Sequence, residues 1–111
     1  MDYGDYEGLT TPEITERRPG WDLFQDGCPG GETIADVGSR VDAVITRLTG
    51  DAHLQDREAL IFGHGHTLRC LTARWLELSA ENARLFLLGA GSLGVLSWER
   101  EWRTLHGWNN R

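Results

Sequence analysis

Apolar positions fall into three patterns along this chain, and each predicts a different element. From Thr33 to Gly50, Ile34, Val37, Val41, Val44, Ile45 and Leu48 recur at three- and four-residue spacing, as on one buried face of a helix. Thr33-Ile34-Ala35-Asp36 supplies a capping hydroxyl and an acid three residues on, so about four turns of amphipathic helix should start there. Gly50 suits its C-cap. Leu68, Leu71, Trp75 and Leu78 mark another helix in the same way. Between the two, Ala59-Leu60-Ile61-Phe62 is continuously apolar with no alternation, which predicts a short strand covered on both faces, as in a parallel sheet. Leu93 to Trp98 and Trp102 to Trp108 alternate around Glu99-Arg100-Glu101 and predict an antiparallel hairpin.

Turn and cap residues fill in the remainder. Residues 1–9 are rich in Gly, Tyr and acid and read as loop. Thr11-Pro12-Glu13 has the marks of a helix start, with an end expected before Pro19-Gly20. Residues 19–31, dense in glycine and proline, read as an irregular surface excursion. Ser79 can cap a short helix near Glu81–Arg84. Helix, helix, strand, helix and hairpin make a mixed α/β domain.

Composition narrows the function. At 111 residues the chain fits one domain, and 40% hydrophobic with 25% charged residues is ordinary for a globular protein. A net charge of −6 with scattered arginines argues against nucleic acid as a partner. No apolar run reaches the ~18 residues that would span a bilayer. The acidic start Met1-Asp2-Tyr3-Gly4-Asp5 has no character of a signal or transit peptide. Cys28 and Cys70 stand far apart with no Cys-x-x-Cys, which suggests free thiols and a cytoplasmic setting.

Chemistry concentrates between Ala59 and Leu71. A buried strand should end at Gly63-His64-Gly65, and a helix should begin at once. A helix start presents unpaired N–H groups and the positive end of the dipole, so it favours anions, phosphate above all. A histidine there can donate to a phosphoryl oxygen or accept a phosphoryl group. A lone histidine in such a turn would more often bond a nearby carbonyl, but here strand, two glycines, histidine and helix start coincide. His64 and His66 also raise a metal reading, although a closed zinc site wants about four ligands and nothing places His53 or His106 beside them. Gly30-Gly31-Glu32-Thr33 is a weaker glycine-rich approach to a helix, and Tyr3, Tyr6 and Glu7 form an aromatic, acidic loop. Trp75, Trp98, Trp102 and Trp108 fall on element faces where core packing is the default.

Three ordered blocks, residues 3–9, residues 21–33 and Gly63-His64-Gly65-His66-Thr67-Leu68-Arg69, resemble the histidine phosphatase superfamily, the phosphoglycerate-mutase-like proteins. The first two look closest to its sugar-bisphosphatase-like members. The resemblance implies a three-layer α/β fold with a mixed sheet and a C-terminal hairpin. It implies phosphoryl transfer through a phosphohistidine, on small phosphorylated metabolites, without a cofactor. His64 would be the second catalytic histidine, which holds and neutralises the phosphoryl group. Gly65 would offer its N–H to the same oxygens, Tyr3 would contact substrate, and Glu32 would stand near the site.

The family's opening strand carries an Arg-His-Gly whose histidine takes the phosphoryl group, and no Arg-His-Gly occurs in these 111 residues. The family's general-acid Glu would fall ahead of Met1. The expectation is therefore an incomplete version of the fold, lacking the N-terminal strand and inactive alone, with edges open to a homo-oligomeric contact. A non-catalytic phospholigand-binding or interaction domain is the alternative, and a metal-dependent hydrolase using His64 and His66 the weaker one.

Overall fold

In the computed structural model, which describes residues 1–51 and 57–111, the chain runs through four α-helices and ends in a hairpin. The helices are α1 (Thr11–Arg17), α2 (Leu23–Asp26), α3 (Ile34–Gly50) and α4 (Gly65–Trp75), and the hairpin is β1 (Leu93–Glu99) and β2 (Trp102–Asn110). Short 3-10 turns lie at Gly4–Tyr6 and Ala80–Leu85.

The longest helix starts where its capping residues direct. The Asp36 N–H donates to the Thr33 hydroxyl at 3.2 Å, and the Thr33 N–H donates to the Asp36 carboxylate at 3.0 Å, so two orphan donors are satisfied reciprocally. The helix runs through Gly50 to a cap at Asp51, one residue later than the glycine suggests. Its buried stripe is Ile34, Val37, Gly38, Val41 and Ile45. Val44 turns out to the surface at 38% exposure. A Cβ on Gly38 would stand 3.0 Å from the Ala80 Cβ, so a side chain there would push α3 off the 80–85 turn.

That stripe packs on Cys70, Leu71, Ala73 and Trp75 of α4, with Phe24 from α2 and Ala83 closing the cluster. Each such aliphatic or aromatic side chain stabilises the fold by about 1.5–3 kcal/mol when fully buried. The 19–31 segment is therefore not wholly a surface excursion. Leu23, Phe24 and Cys28 are buried, because Asp22 caps a short helix by accepting the Phe24 N–H at 3.0 Å. Leu78, expected on the buried face of α4, lies beyond its end and is 39% exposed.

The hairpin turns at Arg100-Glu101, with Glu99 facing Trp102 and Arg100 at φ 55°. Trp75 fastens it to α4: its indole N–H is shared between the carbonyls of Ser97 and Thr104, each at 3.2 Å. Trp98 meets the Trp75 ring edge to face at 5.3 Å, and the Arg103 guanidinium covers it at 5.3 Å. Trp98 and Trp102 are nonetheless 50% and 59% exposed. Trp98 faces α4 through its Trp75 contact, while Trp102, paired with Glu99, falls on the other face of the hairpin, so the two do not share a core.

The strand expected at Ala59–Phe62 does not form. The run has no regular structure and no ladder, and Leu60 and Phe62 are exposed. A strand needs a neighbour to take its N–H and C=O groups, and the only sheet among the described residues is the antiparallel hairpin. The mixed sheet is corrected accordingly, while the α/β character and the C-terminal hairpin stand. Among the described residues, no helix is long and apolar enough to cross a membrane.

Candidate phosphate site at the start of α4

His64 is the N-cap of α4, with φ −83° and ψ 158°, and its side chain makes no capping hydrogen bond. It follows exposed chain without regular structure rather than the carboxyl end of a strand, for want of the ladder described above. His64 and Gly65 are exposed, and the first turn of the helix carries no acid. Neither Gly63 nor Gly65 has a positive φ, so the turn does not need glycine for its backbone angles. A Cβ at Gly65 would find nothing nearer than the Leu88 carbonyl at 4.0 Å, so the space beside the helix start is open. The free amides of the first turn and the dipole end together favour an anion.

The N-terminal loop docks beside this helix, glycine against glycine. Gly4, at φ +52°, lies so close to the backbone of residues 29–31 that any Cβ would overlap it. A Cβ on Gly31 would stand 2.5 Å from both the Asp2 carbonyl oxygen and the Gly4 nitrogen. The Glu32 N–H donates to the Asp2 carbonyl at 2.7 Å, and the Asp5 N–H to the Pro29 carbonyl at 2.7 Å. The Glu32 carboxylate accepts the Asp2 N–H at 2.6 Å with one oxygen and the Arg40 guanidinium with the other. The Arg40 hydrogen bond, more than any other influence, holds that carboxyl below the usual range. One oxygen of Glu32 thus holds the loop while the other ties the carboxylate to α3.

Tyr3 reaches α4 through His66. The Tyr3 hydroxyl and His66 Nδ1 share a hydrogen bond of 2.6 Å, with the rings edge to face at 5.8 Å. His66 sits in the first helical turn, as its position past Gly65 suggests, and is half-buried. On its other side Phe24 presents a T-shaped contact at 5.7 Å. The Arg69 guanidinium lies 4.8 Å above the Phe24 ring and donates to the carbonyls of Ala83 and Arg84 at 3.1 and 3.0 Å. Burial first, then the Arg69 charge, pushes the His66 pKa below 6.5.

The structure thus gathers Tyr3, the Glu32-held loop and the first turn of α4. The hydrogen bonds run from Tyr3 to His66 rather than to His64. Reading the sequence missed the Tyr3–His66 pair and Arg40. Arg40 is eight residues beyond Glu32 on the polar side of α3, a spacing that signals it only once Glu32 is known to lie just ahead of the helix. Cys28 and Cys70 are free and buried. Among the described residues, no three His, Cys, Asp or Glu side chains gather as metal ligands. His53 falls within residues 52–56, outside those described.

Comparison with known proteins matches residues 1–111 to the histidine phosphatase superfamily (branch 1). An acid phosphatase of Mycobacterium tuberculosis is 38% identical over 104 residues, which is 94% of this chain and 50% of that protein. Sedoheptulose 1,7-bisphosphatase of Saccharomyces cerevisiae is 36% identical over 93 residues, 72% of this chain and 34% of that protein. The solved structure of an open reading frame from Mycobacterium tuberculosis superposes with a TM-score of 0.91 at 36% identity, over 98% of this chain and 55% of the other. The chain spans half or less of the length of these two curated relatives.

Proposed function

The chain belongs to the histidine phosphatase superfamily, and on that premise we propose that it carries the phosphate-holding part of a phosphoric monoester hydrolase site. The observation that supports this most is His64 at the N-cap of α4, exposed, with its imidazole making no capping bond. In this reading His64 and the Gly65 N–H hold the phosphoryl oxygens. The remaining amides of the first turn add the helix's positive end, where charge on a transferring phosphoryl group is best neutralised. Tyr3 lines the ligand side. Glu32 acts through the loop it holds, with its carboxylate engaged by Asp2 and Arg40. The ligands are small phosphorylated metabolites, sugar phosphates among them, as the names of the two curated relatives suggest. No cofactor is called for.

The residues so assigned hold phosphate; none of them accepts it. No Arg-His-Gly is present to supply the nucleophile, so the 111 residues alone bind without turnover. Loss of a covalent nucleophile commonly costs on the order of 10⁶ in rate. A polypeptide that also contains such a strand would use this half-site to steady the group being transferred. A non-catalytic phospholigand-binding domain uses the same residues and differs only in lacking that catalytic complement. The metal-hydrolase reading gains nothing from the geometry, since among the described residues no three His, Cys, Asp or Glu side chains gather around His64 and His66.

Phosphate release from p-nitrophenyl phosphate and from sugar bisphosphates tests the reading. We expect background rates for the chain as it stands. Turnover that disappears in His64→Ala would make His64 the nucleophile and overturn the assignment.

A further inference from the structure

We propose that His66 is a positioning residue whose Nδ1 accepts the Tyr3 hydroxyl proton, fixing the phenol at the start of α4 so that it reads a ligand hydroxyl rather than a phosphoryl oxygen. The first half stands on geometry alone. The second rests on the phosphate site proposed above.

The pair is short, at 2.6 Å, and its surroundings leave His66 little freedom. Tyr3 and Phe24 close on the imidazole in T-shaped contacts, with ring centroids at 5.8 and 5.7 Å. Phe24 is held in turn under the Arg69 guanidinium, which is itself anchored to two backbone carbonyls. The half-buried ring beside a fixed cation is most stable neutral, with one proton to place. A phenol is a better donor than acceptor, so the favoured arrangement puts the imidazole proton on Nε2 and leaves Nδ1 to receive the Tyr3 O–H.

A tyrosine has one O–H. Once that proton points at His66, the phenol oxygen offers only lone pairs to anything bound at the helix start. It repels a phosphoryl oxygen and accepts from a hydroxyl. Tyr3 therefore favours ligands whose organic part carries a hydroxyl close to the phosphate, the chemistry of polyol and sugar phosphates. The loop that carries Tyr3 also depends on His66, since this bond ties its side chain to α4 while Gly4 and Gly31 tie its backbone to residues 29–32.

The test has two arms. In the first, the His66 ring nitrogens are assigned by 15N NMR in the wild-type chain and in Tyr3→Phe, which removes one hydroxyl and should fold. We expect the Nε2–H tautomer in the wild type and a raised His66 pKa in Tyr3→Phe, because the donor that favours the neutral ring is gone. A wild-type Nδ1–H tautomer, or a His66 titration indifferent to Tyr3→Phe, overturns the positioning role. In the second arm, inorganic phosphate and glycerol 3-phosphate are titrated into wild type, Tyr3→Phe, His66→Phe and His66→Asn. Both Phe variants should weaken glycerol 3-phosphate relative to inorganic phosphate by about five-fold, the usual worth of one hydrogen bond. His66→Asn, which puts an amide oxygen near the Nδ1 position, should recover most of the loss. Equal weakening of both ligands overturns the hydroxyl reading. Failure of the wild type to bind either ligand refutes the phosphate site, and with it the hydroxyl reading, while the first arm still decides the positioning role.

Discussion

Replacing Gly31 by alanine puts a methyl group where the backbone of residues 2–4 already lies. The new Cβ would stand 2.5 Å from the Asp2 oxygen and the Gly4 nitrogen, and 2.7 Å from the Tyr3 carbonyl carbon. All three neighbours are backbone, so no side chain can swing aside, and the loop has to withdraw. Withdrawal breaks the Glu32-to-Asp2 and Asp5-to-Pro29 backbone bonds, the Asp2-to-Glu32 carboxylate bond and the Tyr3–His66 bond. At about 1 kcal/mol each these sum to about 4 kcal/mol. The freed residues regain conformational entropy, so a net loss of about 2 kcal/mol is expected. Gly8→Ala is the control: its φ of +80° is strained for alanine, but nothing lies within 4 Å, so about 1 kcal/mol should be lost with the loop still docked. Urea denaturation followed by tryptophan fluorescence gives the stabilities, and hydrogen exchange at the Asp5 and Glu32 amides reports docking. A Gly31→Ala chain within about 0.5 kcal/mol of wild type, with both amides still protected, would refute this view of the loop.

Three further outcomes follow from particular contacts. His66 has its folded pKa below the unfolded 6.5, by burial first and then by Arg69 and the Met1 amino group. The unfolded chain therefore binds the proton more readily, and this contribution to stability is complete above pH 6.5 and declines as pH falls from there toward the folded pKa. Unfolding free energies at pH 7 and pH 5 should thus differ more in wild type than in His66→Asn; equal differences would contradict it. Burial pushes the Cys70 thiol up to about 11 and raises Cys28 as well. Neither should react with a disulfide reagent at pH 8 until urea is added, and rapid native labelling would count against the packing. Trp75→Phe removes the N–H shared by the Ser97 and Thr104 carbonyls. It should cost about 1–2 kcal/mol, and unchanged stability would show that the hairpin is held by its other contacts.

Local signals in the sequence were followed closely by the structure. The Thr33–Asp36 capping box and the Ile34, Val37, Val41, Ile45 spacing locate α3 to within a residue, because cap and stripe are encoded in adjacent side chains. The hairpin turn at Arg100-Glu101 is equally local. Ala59–Phe62 shows the other case. Its apolar run has the composition of a buried strand, but a strand is made by its neighbours, and no described segment pairs with it. The 19–31 segment misleads in the opposite direction. Its glycines and prolines signal loop, while Leu23 and Phe24 are drawn into the core by packing that only the tertiary structure supplies. At the candidate site, the motif around His64 was legible because glycines, histidine and helix start are contiguous. The Tyr3–His66 bond spans 63 positions in sequence, and no local pattern could announce it.

The central claim is that the start of α4 holds a phosphoryl group through His64 and the adjoining amides. Titrating inorganic phosphate into 15N-labelled chain, in the presence of EDTA, tests it most directly. Saturable shifts centred on the amides of Gly65, His66 and Thr67, weakened several-fold in His64→Ala, are the predicted result. Shifts scattered over the surface, or binding indifferent to His64→Ala, would contradict it.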